Sequence, residues 1–242
     1  MKYLMALALE GVFPQYCCLC GLRSYQSQPL CSACHLGLSH NTVCCEFCAL
    51  PLLELKKGRR ALCGLCLQSP PEFNRVIAPW LYDRQFAHLI HQWKFQGERR
   101  LTPLLASLWL SQLHSPPNHI DLIVPVPLHW SKFWQRGYNQ SELLAMELSA
   151  QCKELKGTAI DTHLVQRHRA TLAQSGLGAL ARKTNLLAAF TARRRCDNLR
   201  IAVVDDVLTT GATATAMAAT LRDAGAAHIE IWCIARTPEP MS

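Results

Sequence analysis

The sequence predicts an α/β fold in which a doubly wound, mainly parallel sheet follows a small cysteine-rich double zinc ribbon. Two features of the 242 residues lead to this class. Ten of the 13 cysteines precede residue 67, so the front of the chain follows different structural rules from the remainder. Beyond residue 70, apolar strand-like runs alternate with helix-like segments, which is the pattern of a parallel sheet covered by helices on both faces.

Hydrophobic periodicity places the individual elements after residue 70. A short apolar run such as DLIVPV is typical of a strand buried in a parallel sheet. Strands are predicted at 76–82, 121–126, 201–204 and 228–235. Helices are predicted at 85–95, 101–114, 141–155 and 213–224, and the last of them ends at Gly225.

Residues 69–72 (SPPE) contain two consecutive prolines and mark the predicted domain boundary. We expect an N-terminal helix and double zinc ribbon at 1–69 and the α/β domain at 70–242. The opening MKYLMALALEGVF begins like a signal peptide, but its apolar run stops at Glu10 and no small-residue cleavage site follows. We therefore expect an amphipathic helix there, in a cytoplasmic protein that does not insert into a membrane.

The formal net charge of +8 is unevenly distributed. Within 163–200, eight Lys and Arg residues stand against a single acid, Asp197. This concentration favours a partner rich in phosphate, and the plainer alternative is a solvated basic surface. Two zinc ions held by eight thiolates would contribute about −4, which leaves the positive charge concentrated beyond the ribbon.

Four CxxC pairs follow one another in the first 69 residues. A two-residue spacer lets both thiolates of a pair reach one ion, and two pairs complete a tetrahedron. Taken in sequence order, the pairs form two structural Cys₄ zinc sites, although an interleaved, cross-braced pairing uses the same residues. Iron is an alternative metal, and Cys18 and Cys44 stand beside ligands that they could replace. The predicted ligands are Cys17, Cys20, Cys31, Cys34, Cys45, Cys48, Cys63 and Cys66.

The segment 201–215 (IAVVDDVLTTGATAT) joins an apolar strand, two acids and a small-residue loop that opens into a helix. Ligands of open α/β sheets bind beyond the carboxyl ends of the strands. Backbone N–H groups at a helix N-terminus form a phosphate cradle, and Gly211 allows a close backbone approach. Asp205 and Asp206 are placed to accept hydrogen bonds from ribose hydroxyls. The segment therefore predicts a sugar-phosphate site whose cradle is Thr209, Thr210, Gly211, Ala212 and Thr213.

The stretch VVDDVLTTGAT resembles the 5-phosphoribosyl 1-diphosphate (PRPP) signature of type I phosphoribosyltransferases. The CxxC pairs, PVPLH at 125–129, RGYNQ at 136–140 and RATLAQ at 169–174 make the whole chain similar to the ComF/GntX family. That family joins a double zinc ribbon to a type I phosphoribosyltransferase-like fold. The resemblance implies a domain of this fold that binds PRPP together with Mg²⁺.

The resemblance also implies roles for residues outside the signature. It places the diphosphate of PRPP against the 125–129 turn and a mobile loop at 167–183. Cations in that loop would stabilise a departing diphosphate. The candidate catalytic residues are therefore Arg167, Arg169 and Lys183, and Arg136 is a weaker candidate.

Two functions from different classes follow from the resemblance, because ComF-type proteins are linked to DNA uptake and to the use of DNA as a nutrient. In the first, the protein binds a PRPP-type ligand and holds single-stranded DNA in the cytosol through 163–200, with DNA-uptake proteins as candidate partners. Nearby aromatic residues would stack on bases, or else they pack in the core. These residues are Trp130, Phe133, Trp134 and Tyr138.

The second function is an active Mg²⁺-dependent phosphoribosyltransferase whose acceptor is unidentified. The glutaminase activity of amidophosphoribosyltransferases is rejected, because it needs an N-terminal nucleophilic cysteine and residue 2 is Lys.

Overall fold

The structure, a computed structural model, describes residues 15–54, 61–113, 119–168 and 189–238. The strands are β1 (Gln15–Tyr16), β2 (Arg23–Ser24), β3 (Arg75–Ile77), β4 (Trp80–Leu81), β5 (Leu122–Pro125), β6 (Ala159–Ile160), β7 (Val165–Arg167), β8 (Phe190–Ala192), β9 (Arg200–Leu208) and β10 (His228–Arg236). The helices are α1 (Ser32–Leu36), α2 (Gly64–Gln68), α3 (Arg84–Phe95), α4 (Thr102–Leu110), α5 (Trp130–Arg136), α6 (Gln140–Gln151) and α7 (Ala212–Asp223).

A parallel sheet with strand order β3-β10-β9-β5-β6 forms the centre of the fold. Val203 of β9 pairs with Ile231 of β10 on one side and with Val124 of β5 on the other. β4 continues the edge of the sheet by pairing with β10 at Ala235 and Arg236. The carboxyl ends of the central strands therefore lie together at one end of the sheet.

Both faces of this sheet are covered. Ala202 and Val204 of β9 point to a core that contains apolar residues of α3, α4 and α6. Ile201 and Val203 point to the opposite face, where Met217 of α7 and the β7–β8 hairpin cover them. The predicted class, an α/β fold with a parallel sheet and a cysteine-rich front, is confirmed.

The cysteine-rich front lies along the β3–β4 edge of the sheet. Leu30 and Leu38 share the core of Trp80 and Phe86. Backbone hydrogen bonds also cross the junction, since the Asn41 amide donates to the Pro79 carbonyl at 2.8 Å. The division into domains at residue 69 stays a prediction, and the two segments on either side of it pack against each other.

The boundaries of several elements differ from the predicted ones. The strand predicted at 76–82 is interrupted between β3 and β4, where Pro79 has no N–H to donate. The helices predicted at 101–114 and 141–155 end earlier, at Leu110 and Gln151. The strand predicted at 201–204 continues to Leu208, because β10 pairs with it over its whole length.

The helix predicted at the start of the chain lies outside the described residues. Among the helices that the structure describes, none has the length and apolar composition needed to cross a bilayer.

Candidate functional site

The eight predicted metal ligands form two groups in sequence order. Within each group, the four sulfur atoms all lie within 4.8 Å of one another. This grouping excludes the cross-braced pairing, and Cys18 and Cys44 belong to neither group. The first thiolate group is Cys17, Cys20, Cys31 and Cys34, and the second thiolate group is Cys45, Cys48, Cys63 and Cys66.

The distances between sulfurs fit a tetrahedral metal ion. Zinc–sulfur bonds of about 2.3 Å separate the sulfurs of a tetrahedron by about 3.8 Å. The Cys20 and Cys31 Sγ atoms are 3.8 Å apart, and those of Cys48 and Cys63 are 3.6 Å apart. All of these cysteines are free thiols, so no disulfide competes for the ligands.

The same local backbone structure builds both groups. Cys17 and Cys45 each begin a tight turn in which their amides donate to the carbonyls of Leu22 and Leu50, both at 2.8 Å. The second pair of each group begins a short helix, α1 after Cys31 and α2 after Cys63. Each predicted metal site therefore joins one turn to one helix start.

The thiols of the first thiolate group lie close together, and their pKa values shift in different directions. At Cys17, burial opposes ionisation, but hydrogen bonds from the backbone of Cys31 and Cys20 outweigh it and lower the pKa to about 6. Burial and the neighbouring Cys31 thiol raise the pKa of Cys34. A divalent cation can bind such a cluster by taking the place of the thiol protons, so that all four sulfur atoms are bound as thiolates.

The predicted ribose-binding acids lie within β9 rather than after it. Asp205 pairs with Cys233 of β10, and its Oδ1 accepts hydrogen bonds from the Ser141 hydroxyl at 3.3 Å and the Asp206 amide at 2.9 Å. Asp206 Oδ2 lies 2.7 Å from Lys94 Nζ of α3. These two side chains are only 15% and 17% exposed, so the ion pair is largely shielded from water.

Burial and the charge of Asp206 raise the pKa of Asp205 to about 7. The Asp206 amide, Lys94 and the Ser141 hydroxyl oppose this shift without cancelling it. The two adjacent acids therefore differ: Asp206 holds an ion pair, and Asp205 is a carboxyl group that takes up a proton near neutral pH.

The predicted phosphate cradle lies where β9 turns into α7. Gly211 is the residue before the helix and has a left-handed φ of 80°, which favours glycine. A Cβ atom added to Gly211 would meet nothing within 4 Å, so space beside the loop is open. The Thr210 hydroxyl accepts a hydrogen bond from the Ala212 amide at 3.4 Å, while Thr209 and Thr210 are exposed.

Besides Lys94, the basic residues Lys132 and Arg167 interact electrostatically with the two acids. Burial, followed by the charges of Arg167 and Arg136, lowers the pKa of Lys132 in α5. Burial also lowers the pKa of Arg167, against the opposing charge of Asp205. Arg167 thus lies beside the predicted site, and the predicted residues Arg169 and Lys183 lie outside the described residues.

Neither Lys94 nor Lys132 was among the predicted ligand-binding or catalytic residues, although the family resemblance suggested that Lys94 approaches the pocket. Each is far from the signature in sequence, and only the packing of α3 and α5 brings it to the carboxyl end of β9. In the sequence, the alternation of Lys132 with the aromatic residues of WSKFW was the signal that a basic residue of this segment contributes to a binding site.

Three of the aromatic residues next to the site are exposed, which contradicts the core-packing alternative for them. Trp130 and Trp134 of α5 are 68% and 82% exposed, and Phe133 is 48% exposed. Spacings of three and four residues place them on one side of the helix. We call these three residues the α5 aromatic surface. Tyr138 alone is buried, and its hydroxyl donates to the Trp93 carbonyl.

Curated relatives extend over most of the chain. DNA utilization protein YhgH of Salmonella typhi is 35% identical over 231 residues, which cover 93% of this chain and 98% of that protein. The chain belongs to the ComF/GntX family. Escherichia coli K12 YhgH is 35% identical over 86% of this ComF/GntX chain and 90% of its own length. Competence protein F of Haemophilus influenzae is 34% identical over 72% of this chain and 78% of its own length.

Two further comparisons give little additional information about this ComF/GntX protein. A scan against protein-family models gives no match. The purine phosphoribosyltransferase of Pyrococcus horikoshii Ot3 has a TM-score of 0.32 and 16% identity, covering 62% of this chain and 92% of that chain. A likeness of this size carries no argument about fold or function.

Proposed function

We propose that this ComF/GntX protein binds a phosphoribosyl ligand of the PRPP type and acts in DNA uptake or in the use of DNA as a nutrient. The observation that carries the proposal is the Asp205–Asp206 pair near the end of β9, separated by two residues from the loop that begins α7. Carboxylates accept hydrogen bonds from ribose hydroxyls, and the amides of 209–213 donate to a phosphate. The names DNA utilization protein YhgH and competence protein F support the cellular role.

The cations around the acid pair support an anionic ligand. Two acids alone would repel a diphosphate, whereas Lys94, Lys132 and Arg167 attract it. We assign the diphosphate to this basic rim, and Arg169 and Lys183 keep the same proposed role. The carboxylate oxygens of the acid pair suit Mg²⁺, which would neutralise diphosphate oxygens when bound.

Mg²⁺-dependent PRPP binding is tested by thermal unfolding. PRPP at about 100 times its Kd stabilises a protein by about 2.7 kcal/mol, which raises the melting temperature by about 5–10 °C in a chain of this size. The double variant D205N/D206N should lose this shift, and D223N, which changes an exposed acid at the end of α7, should keep it. An unchanged shift in the double variant contradicts the proposed site.

An active phosphoribosyltransferase is the alternative use of the same pocket. Transfer would release diphosphate, and the basic rim would stabilise that leaving group. Diphosphate released from PRPP by the metal-replete protein, measured with each nucleobase as acceptor, distinguishes transfer from binding alone.

We also propose that the α5 aromatic surface contacts single-stranded DNA. Exposed tryptophans interleaved with Lys132 and Arg136 combine base stacking with attraction of the phosphate backbone. Arg136 additionally stacks on the ring of Phe95 at 4.8 Å, which adds a further exposed aromatic ring to this side of the molecule. The basic residues of 163–200 would extend the contact, and binding to DNA-uptake proteins stays a prediction.

Fluorescence anisotropy with a labelled oligo-dT at two salt concentrations tests this contact. W130A/W134A should weaken binding about tenfold or more, because each stacked base contributes about 1–3 kcal/mol. Y25A removes a ring that is 85% exposed on the cysteine-rich front and should leave the affinity unchanged. D205N/D206N should also bind normally. Equal affinities of W130A/W134A and Y25A would rule out stacking on α5.

We propose that the two thiolate groups hold structural zinc. Four thiolates complete a tetrahedron and leave no position for a substrate, which supports a structural role rather than a catalytic one. Free thiols throughout the described residues support action in a reducing compartment, the cytoplasm. Metal analysis of the purified protein should give two zinc ions per chain, and iron at that stoichiometry would contradict the assignment.

A further inference from the structure

Arg236, the last residue of β10, lies buried directly behind the 209–213 loop and is only 7% exposed. Its Nη1 donates to the carbonyl oxygens of Leu208 at 2.9 Å, of Thr209, and of Thr237 at 3.0 Å. Thr209 is the first residue of the proposed phosphate cradle. The guanidinium therefore fixes the point at which the loop leaves the sheet.

The same guanidinium also reaches the cysteine-rich front. Its Nε donates to the carbonyl oxygen of Cys48 at 3.3 Å. Cys48 belongs to the second thiolate group, and its Sγ lies 3.6 Å from that of Cys63. A contiguous set of bonded groups therefore runs from a predicted metal ligand through Arg236 to Thr209.

We propose that Arg236 is a positioning residue through which the second thiolate group, with its metal bound, holds the 209–213 loop in place for a phosphate. Hydrogen bonds from a buried guanidinium are charge-assisted and among the stronger ones in proteins. Its planar donors have fixed directions, so a shift of the Cys48 turn is passed on to the loop. The phosphate in this statement rests on the proposed function, whereas the link from Cys48 to the loop rests on the contacts alone.

Arg222 provides a matched control. Its guanidinium also donates to backbone carbonyls, those of Glu72, Ala226 and Ala227. It lies at the opposite end of the sheet, where β10 begins. Substitution of Arg222 should therefore remove similar bonds without touching the loop.

Hydrogen exchange of the metal-replete protein, resolved by peptide, tests the link without any ligand. In R236M and in C48S, the 209–213 amides should exchange about tenfold faster or more, whereas R222M and C20S of the first thiolate group should leave them unchanged. R236K should fall between R236M and the unsubstituted protein. Exchange in 201–204, at the centre of the sheet, reports whether a variant is folded. Loop exchange in C48S equal to that in C20S would overturn the proposal.

PRPP titration of the same variants separates this proposal from the proposed function. R236M should bind PRPP at least tenfold more weakly than R222M. Equal affinity in the two variants would show that Arg236 does not position the loop. If the unsubstituted protein binds no PRPP while loop exchange still follows Cys48 and Arg236, the proposed function fails and the link stands.

Discussion

Asp205 and Asp206 are neighbours in sequence, yet they lie in different electrostatic surroundings. Asp206 forms an ion pair with Lys94, whose Nζ lies 2.7 Å from Asp206 Oδ2. Asp205 instead faces the Ser141 hydroxyl and the charge of Asp206. The site thus combines a shielded ion pair with a carboxyl group that ionises at an energetic cost.

Because ionisation of Asp205 is unfavourable in the folded state, the variant D205N should be more stable than the unsubstituted protein by an amount that depends on pH. The folded state binds the Asp205 proton more tightly than the unfolded state does, with a pKa of about 7 against the ordinary 3.8. This contribution to stability is complete below the ordinary pKa and is lost as the pH rises towards 7. Asparagine stays neutral, so the melting temperature of D205N should exceed that of the unsubstituted protein increasingly between pH 5 and pH 8.

Thermal unfolding in the absence of ligand measures this difference. One pKa unit corresponds to about 1.4 kcal/mol, so the gain should grow by at least about 3 °C over this pH range. D223N at each pH corrects for the general effect of removing an acid. A gain that is the same at pH 5 and pH 8 would contradict the raised pKa of Asp205.

At the scale of elements, residues 136–140 (RGYNQ) form the joint between α5 and α6. Gly137 ends α5 with a left-handed φ of 74°, and Asn139 begins α6 by accepting a hydrogen bond from the Ser141 amide at 3.1 Å. The Asn139 side chain also donates to the carbonyl of Val126 at 3.1 Å. This joint therefore sets the positions of both the α5 aromatic surface and Ser141 at the acid pair.

Loss of the Asn139 cap should weaken this joint. N139A removes a helix cap worth about 1 kcal/mol, so the melting temperature should fall by about 2–4 °C. N139D keeps the acceptor for the Ser141 amide but has no donor for the Val126 carbonyl, so it should recover the part of the loss that comes from the cap. Equal melting temperatures of N139A and N139D would show that the bond to Val126, and not the cap, stabilises the joint.

The sequence predicts those features that depend on neighbours along the chain. The thiolate pairs, the acid pair and the small-residue loop are local patterns, and the thiolate groups form with the predicted ligands. The extension of β9 to Leu208 depends on pairing with β10, and the Lys94–Asp206 contact depends on the packing of α3. Helix α5 was not predicted because its aromatic residues face outwards and show no core-facing periodicity.

At the scale of the whole molecule, the cysteine-rich front and the sheet share one core. Leu30 and Leu38 pack with Trp80 and Phe86, and the Asn41 side chain donates to the carbonyls of both Ala49 and Ala78. The separate cluster of buried apolar residues in the front is small, namely Cys45, Leu50, Cys63 and Cys66. We therefore expect the fold of the front to depend on bound metal. Unfolding of the front should therefore expose part of the core of the α/β domain.

Metal removal should accordingly lower the stability of the whole chain. In calorimetry, the chelated protein should unfold in one transition at a lower temperature than the metal-replete protein. Restoring stoichiometric zinc should return the transition to its original position. Two separate transitions, with the second unmoved by chelation, would mean that the α/β domain is independent of the front.

Strand order also bears on the time at which this protein can complete its fold. β3 and β4 pair in the sheet with β10, whose residues are synthesised far later. At about 5–20 residues per second, a ribosome takes on the order of ten seconds to extend the chain from one to the other. During that interval the cysteine-rich front has no sheet edge to pack against. We expect early metal capture by the nascent chain to protect these exposed segments from misfolding, so the yield of folded protein should depend on the availability of metal during translation.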